Sequence, residues 1–229
     1  MYYFTCVNFY QGVDLLEKFN VVEIFPSIEG EGSLIGYPVT FIRLEGCNLR
    51  CEWCDTPYSY DGKTFSKLTS DEIISELKRY PNRKVCLTGG EPLICENVDK
   101  LMTEIIKEGY SLIIETNGTV LTEEVKNVLR EFGESIYIVV SPKPDSFYFI
   151  NKELIPSVDE FKFIVDETLR IKDILMYQIY YTEKPLILQP ESNRKDMIDK
   201  ALKLQRELLE KHSIEARVIP QVHKYMGIM

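Results

Sequence analysis

Three cysteines fall within eight residues, Cys47-Asn48-Leu49-Arg50-Cys51-Glu52-Trp53-Cys54, and no fourth follows until Cys86. A cubane iron–sulfur cluster has four irons, so three protein thiolates can hold it and leave one iron open to bind and reduce something else. The spacing therefore points to a radical enzyme. Structural zinc needs four Cys or His ligands in paired short spacings, and the two histidines, His212 and His223, lie far along the chain. A disulfide in this loop is disfavoured too, because six cysteines in 229 residues are too few for a disulfide scaffold. Cys6, Cys86 and Cys95 read as small buried hydrophobes.

The elements that must position this loop are legible from periodicity. Strand-like runs occur at 39–44, 84–87, 111–114, 136–140, 160–165 and 186–188, mostly short and rich in Val, Ile and Leu, as in strands covered on both faces. Helical stripes lie between several of them. Ile73, Ile74, Leu77 and Tyr80 form one, with Thr69 and Glu72 in capping-box spacing and Pro81 at its end. Val98, Leu101, Met102 and Ile105 form another before Gly109, and Val125, Val128, Leu129 and Phe132 a third, led by Thr122, Glu123 and Glu124 and closed by Gly133. Alternating strands and helices imply right-handed β/α units and a parallel sheet. Eight units normally need about 250 residues, so the expected fold class is α/β, an open, incomplete (β/α) barrel of about six parallel strands with the active site at the C-terminal strand ends. A strand around 21–25 precedes the barrel and another at 216–219 closes the sequence, while 142–159 shows no helical period.

In such a barrel the loops after the strands converge on one rim. Here those loops carry the cysteines, then Thr88-Gly89-Gly90-Glu91-Pro92, Glu115-Thr116-Asn117-Gly118, Ser141-Pro142-Lys143 and Gln189-Pro190-Glu191. Each alone is ordinary turn chemistry. Together they describe a pocket in which glycines admit a ligand to the backbone and Glu91 can accept from an ammonium.

Length and composition, 45% hydrophobic and 28% charged, suit one globular domain over 1–229. No segment approaches the ~18 apolar residues of a membrane helix, and the start lacks a basic secretory n-region, so a cytoplasmic protein without membrane contact is expected. A net charge of −9 disfavours nucleic-acid docking and favours a small substrate.

The CxxxCxxC spacing resembles the cluster loop of the radical S-adenosylmethionine (SAM) enzymes. The resemblance narrows with Ser27-Ile28-Glu29-Gly30-Glu31-Gly32, Gly36-Tyr37-Pro38, Phe41-Ile42-Arg43-Leu44-Glu45-Gly46 leading into Cys47, Asp55-Thr56 after Cys54, and Pro220-Gln221-Val222-His223-Lys224. These motifs, spread over nearly the whole chain, are similar to the 7-carboxy-7-deazaguanine synthase (QueE) family. The resemblance implies a SAM-dependent ring contraction of 6-carboxy-5,6,7,8-tetrahydropterin to 7-carboxy-7-deazaguanine with loss of ammonia, in the biosynthesis of deazapurine nucleosides of tRNA, fed by an external electron donor. It also implies a homodimer.

Carried over residue by residue, the resemblance gives Cys47, Cys51 and Cys54 a [4Fe-4S] cluster; Gly89, Gly90 and Glu91 the methionine end of SAM; and Ser141, Lys143 and Gln189 the rest of the SAM site. Glu29, Glu31, Arg43, Thr88, Glu115 and His223 would surround the substrate, and Thr56 would be an oxygen ligand of Mg²⁺. No side chain is assigned as the bond-breaking group, because the radical arises at the cluster and SAM. The chemistry is reasonable: the Arg43 guanidinium suits a carboxylate, Glu115 can accept from the paired N–H groups of a 2-amino-4-oxopyrimidine edge, and Mg²⁺ takes few protein oxygens and keeps waters. Asp55 can alternatively be read as capping the following turn. Two departures stand out: Glu29 occupies a position where the family usually has Gln, and residues 1–20, with Tyr2, Tyr3, Phe4, Phe9 and Tyr10, form an N-terminal extension with no counterpart.

Two other functions share the cysteine signature. One is an activase that makes a glycyl radical on a partner protein, which turnover of a free pterin without a second protein would exclude. The other is an iron–sulfur or zinc binding module, which requires a metal centre indifferent to SAM.

Overall fold

The computed structural model describes residues 17–228. In chain order its elements are β1 (Lys18–Ile28), β2 (Pro38–Leu44), β3 (Ser66–Thr69), α1 (Ser70–Leu77), β4 (Lys84–Gly89), α2 (Val98–Lys107), β5 (Ser111–Thr116), α3 (Glu123–Phe132), β6 (Ile136–Val140), β7 (Glu160–Val165), α4 (Ile171–Leu175), β8 (Leu186–Pro190), α5 (Lys195–His212), β9 (Arg217–Val218) and α6 (Val222–Met226), with short 3-10 turns between them. The strands form one nine-stranded sheet in the order β3-β1-β2-β4-β5-β6-β7-β8-β9. From β2 to β9 every neighbouring pair is parallel, while β1 runs antiparallel to both β2 and β3. The edge strands β3 and β9 do not meet, so the barrel is open.

The parallel strands stand where the apolar runs predict, and the antiparallel edge is larger than expected. β1 starts at Lys18 and pairs with β3, an edge strand that four residues of sequence do not announce. Lys18, Phe19 and Asn20 therefore belong to the sheet and not to an N-terminal extension, because Phe19 and Val21 bury one face of β1 in the core. The aromatic residues Tyr2 to Tyr10, and Cys6, lie outside the described residues.

Burial on both faces of the parallel strands separates two kinds of interior. Ile42, Leu44, Leu87, Ile114, Val140, Phe161, Phe163 and Leu188 point outward into a continuous apolar core with helix residues such as Leu77, Leu101, Leu129 and Leu204. Complete burial of each such side chain is worth roughly 1.5–3 kcal/mol. The alternate residues face the barrel lumen, where Val39, Cys86, Ile113 and Val139 form a small plug. Above the plug, Arg43, Thr88, Glu115, Lys162 and Gln189 line a cavity.

Helix punctuation follows local chemistry. Thr69 and Glu72 make the expected capping box of α1, and Thr122 Oγ1 accepts the Val125 N–H at the start of α3. Gly133 closes α3 without a left-handed turn, as the chain passes straight into a 3-10 turn. The crossover from β6 to β7 contains only 3-10 turns, in keeping with its missing period. The longest helix, α5, buries Met197, Ala201, Leu204 and Leu208, yet its N-cap is Arg194 with no side-chain cap, so it lacks the usual start signal.

Candidate active site

The rim loops enclose a cavity of about 450 Å³ at the C-terminal ends of the parallel strands. Every residue named above as a site candidate lines it except Glu91.

One wall is the cysteine loop between β2 and the 3-10 turn at Pro57–Tyr60. Cys47, Cys51 and Cys54 are half-buried, free of disulfides and open to the cavity. The loop is tied down from several strand ends. Asn48 bridges to Thr119 and Asn117 at 2.9 and 3.0 Å, the Arg50 N–H donates to Asp145, and the Trp53 indole N–H donates to Asp166 at 2.7 Å. Burial pushes the Cys47 thiol up and the Cys51 thiol up to about 11, so the thiolates need a positive partner to form.

Among the described residues no three His, Cys, Asp or Glu side chains converge closely enough to hold a single metal ion. A cubane sets its protein sulfurs on different irons and needs thiols spread around a rim. Three free thiols facing one cavity fit that requirement.

The Gly89-Gly90-Glu91 turn leans directly on this loop. The Gly90 N–H donates to Leu44 O and the Glu91 N–H to Gly46 O. A Cβ at Gly90 would stand 2.2 Å from Gly46 O and 2.6 Å from Cys47 Cβ, so only glycine fits. The Glu91 side chain turns away from the cavity. It is 1% exposed; its Oε1 accepts from Leu93 N and Thr116 Oγ1, and its Oε2 from Asn117 N at 2.6 Å. Both oxygens are engaged in capping the Pro92–Ile94 turn and fastening the β5 loop, so Glu91 shapes the wall from behind it. The Glu91-Pro92 pair is itself a capping signal.

The opposite wall is charged. Lys162, 2% exposed, donates to Glu31 at 2.6 Å and to Glu115 at 2.7 Å. Glu31 also accepts from Gln221 at 2.8 Å, and Lys162 with its other donors holds that carboxyl down at about 2 against the burial that opposes it. Burial pushes Glu115 up despite the lysine. Lys143 donates to Ser141 Oγ at 2.7 Å and lies 5.3 Å from the Trp53 ring; burial, then the charge of Lys162, lowers its pKa. Gln189 Oε1 is buried with no partner, an acceptor left for a ligand donor. Arg43 is held through Nε by Glu23 at 2.6 Å, and Glu23 also accepts from Tyr58.

Lys162 was not anticipated. The signal was present in Phe161-Lys162-Phe163, a charge at an alternating position in an otherwise apolar strand.

The C-terminal segment closes the cavity. The Val222 N–H donates to Gly30 O, and the His223 ring packs so tightly on Gly30 that a Cβ there would lie 2.3 Å from Nδ1. Asp55 accepts from Gln221 and Lys224, so it ties the cysteine loop to this segment. Thr56 borders the cavity, its Oγ1 3.9 Å from Cys54 Sγ.

Residues 41–166 match the Radical SAM superfamily, from β2 to the Asp166 that anchors Trp53. The chain is 43% identical over 207 residues to the 7-carboxy-7-deazaguanine synthase of Aquifex aeolicus, covering 88% of this chain and 90% of that protein. It is 31% identical over 214 residues to the 7-carboxy-7-deazaguanine synthase of Thermoplasma acidophilum, covering 89% and 95%. The crystal structure of QueE from Escherichia coli superposes with a TM-score of 0.68 at 26% identity, over 90% of this chain and 95% of that one.

Proposed function

We propose a division of labour for the residues of this chain, which belongs to the 7-carboxy-7-deazaguanine synthase family of the radical SAM superfamily. It is a radical SAM enzyme that converts 6-carboxy-5,6,7,8-tetrahydropterin to 7-carboxy-7-deazaguanine with loss of ammonia. The observation that carries the assignment of residues is the polarity of one cavity, with three thiols on one wall and the Lys162 carboxylate cluster on the other.

Cys47, Cys51 and Cys54 would hold the [4Fe-4S] cluster, which, given one electron by an external donor and with SAM bound, would supply radical chemistry able to abstract hydrogen from carbon. The backbone of Gly89 and Gly90 receives the methionine end of SAM, and Ser141, Lys143 and Gln189 line the remainder. Because the Gly90 turn hydrogen-bonds to the root of the cysteine loop, the two halves of the cofactor site are tied to each other.

Glu115 accepts from the N–H edge of the pterin, and Lys162 holds it and Glu31 in place. Arg43, braced at Nε by Glu23, offers its remaining N–H groups to the substrate carboxylate. Thr88 and His223 complete the surround, and the C-terminal segment that carries His223 excludes water. Thr56 would supply one hydroxyl to Mg²⁺, a cation that takes few protein oxygens and keeps waters, as suits a site with no carboxylate cage among the described residues.

No helix among the described residues is long and apolar enough to cross a membrane. The free thiols suit the reducing cytoplasm, where we place the enzyme with an external electron donor. A homodimer, which the motif resemblance implies, is part of this proposal.

The test is direct. Anaerobically reconstituted protein given reductant, SAM, Mg²⁺ and carboxytetrahydropterin should release the deazapurine. An intact cluster with no product would show the substrate to be wrong, and undiminished turnover after Mg²⁺ chelation would remove the role given to Thr56.

A further inference from the structure

Glu29 is the acid lining the cavity whose carboxyl is incompletely satisfied. It is 5% exposed; Oε1 accepts the Glu31 N–H at 3.2 Å, and Oε2 is buried with no hydrogen-bond partner among the described residues. A buried carboxylate oxygen left in this state is costly.

Counting charges shows where a proton must sit. Of the ammonium groups bordering the cavity, only that of Lys162 touches the carboxylates of Glu31 and Glu115, and the Glu29 carboxyl has no ion-pair contact among the described residues. Ionising Glu29 together with Glu31 and Glu115 would crowd three negative charges and leave that of Glu29 buried without an ion-pair contact. A proton on one removes part of that cost, least expensively on the carboxyl that the lysine does not touch. Oε1 already accepts a hydrogen bond, so the proton belongs on Oε2, the buried oxygen that no described group meets, on a residue that borders the cavity.

We propose that Glu29 recognises the substrate as a neutral carboxylic acid, its Oε2–H donating to a hydrogen-bond acceptor on the bicyclic ring while ionised Glu115 accepts from ring N–H groups. The inference rests on the reading of this cavity as the pterin site. Side by side, the two acids read one donor and one acceptor position, which distinguishes a pterin edge from rings that lack either.

The electrostatics agree. Burial, then the charge of Glu115, pushes the Glu29 carboxyl up to about 8, with Lys162 opposing. The titratable and charged groups that face it are Glu31 in the same turn, Glu115 on β5 and Lys162 on β7, with Cys86 on β4, Arg43 on β2 and the His223 ring against Gly30 close by. Below about 8 the donor is present. Above it the donor is lost, and a negative charge faces a ring acceptor.

The experiment follows KM and kcat of the reconstituted holoenzyme between pH 6.5 and 9.5, alongside equilibrium binding of non-reacting 6-carboxypterin. In the parent protein both KM and the Kd should stay level to about pH 8 and then climb by about tenfold per pH unit, with no matching fall in kcat. Glu29→Gln, which keeps a donor but cannot ionise, should lose that alkaline climb, whereas Glu29→Ala should raise KM at every pH. Unchanged cluster absorbance and SAM affinity report that the variants are folded. A level parent profile, or a climb that persists in Glu29→Gln, overturns the proposal. If the parent binds 6-carboxypterin but turns over no carboxytetrahydropterin, the assigned reaction fails, and the binding profiles still decide the state of Glu29.

Discussion

Lys162 and Phe163 are adjacent in the chain, both fully buried, and belong to opposite worlds. Phe163 faces the helices, in an apolar layer where any well-packed hydrophobe of similar volume would serve. Lys162 faces the lumen, where an ammonium is tolerated because two carboxylates meet it at 2.6 and 2.7 Å. Burying such ions carries a desolvation penalty that their attraction only partly offsets. The difference teaches that the two faces of one sheet do different jobs: the outer face supplies the stability that the inner face consumes to keep a preorganised charged pocket. If so, substitutions on the two faces should separate activity from stability.

The greatest separation belongs to the cysteine loop. Cys51→Ala should abolish turnover and the cluster's visible absorbance, yet shift apo-protein stability by only about 0.5 kcal/mol, because the side chain borders an open cavity. Denaturant melts of the apo protein together with activity of the reconstituted protein check both halves. Turnover that survives in this variant would contradict the ligand assignment.

Lys162→Met comes next, because it strikes the inner face in both respects. Glu31 and Glu115 would be left buried without their cation, at a cost of about 3–5 kcal/mol of stability. Acceptors that drift by an ångström should lower kcat/KM by about a hundredfold. Phe163→Ala is the matched control on the outer face. The cavity it leaves costs about 3–5 kcal/mol as well, with kcat/KM per folded molecule close to the parent. A Phe163→Ala enzyme that lost activity as Lys162→Met does would break the two-face comparison.

The contrast also explains what could be read from the sequence. Apolar runs and capping signals belong to the outer face, so the parallel strands, α1 and α3 were legible from periodicity and from Thr69, Glu72 and Thr122. α5 is equally amphipathic but starts at uncapped Arg194, and β3 is four half-exposed residues whose strand state depends on pairing with β1. The inner face is assembled from single residues far apart in sequence, such as Glu31, Glu115 and Lys162, which no local pattern connects. Motif resemblance supplied most of them. It named Glu91 with the glycines beside it, but a sequence does not show that this carboxylate turns behind the wall to fasten two loops. It passed over Lys162 because a lone lysine in a strand has no local signature beyond the alternation around it.

The smallest expected effect lies at the start of α1, where Thr69 ends β3 and also caps the helix. Its Oγ1 accepts the Glu72 N–H at 3.3 Å while the Glu72 carboxylate accepts the Thr69 N–H at 2.8 Å. Thr69→Ala removes the first bond and leaves the second, so half of the box survives. The cost should be about 1 kcal/mol, read as a lower urea midpoint with an unchanged slope. Neither Thr69 nor Glu72 borders the cavity, and α1 reaches the lumen only through the sheet it packs against. KM and kcat should therefore match the parent. A measurable change in KM would mean that the edge formed by β3 and β1 transmits strain to Glu29 and Glu31 at the far end of β1, and the two faces would then have to be treated as mechanically coupled.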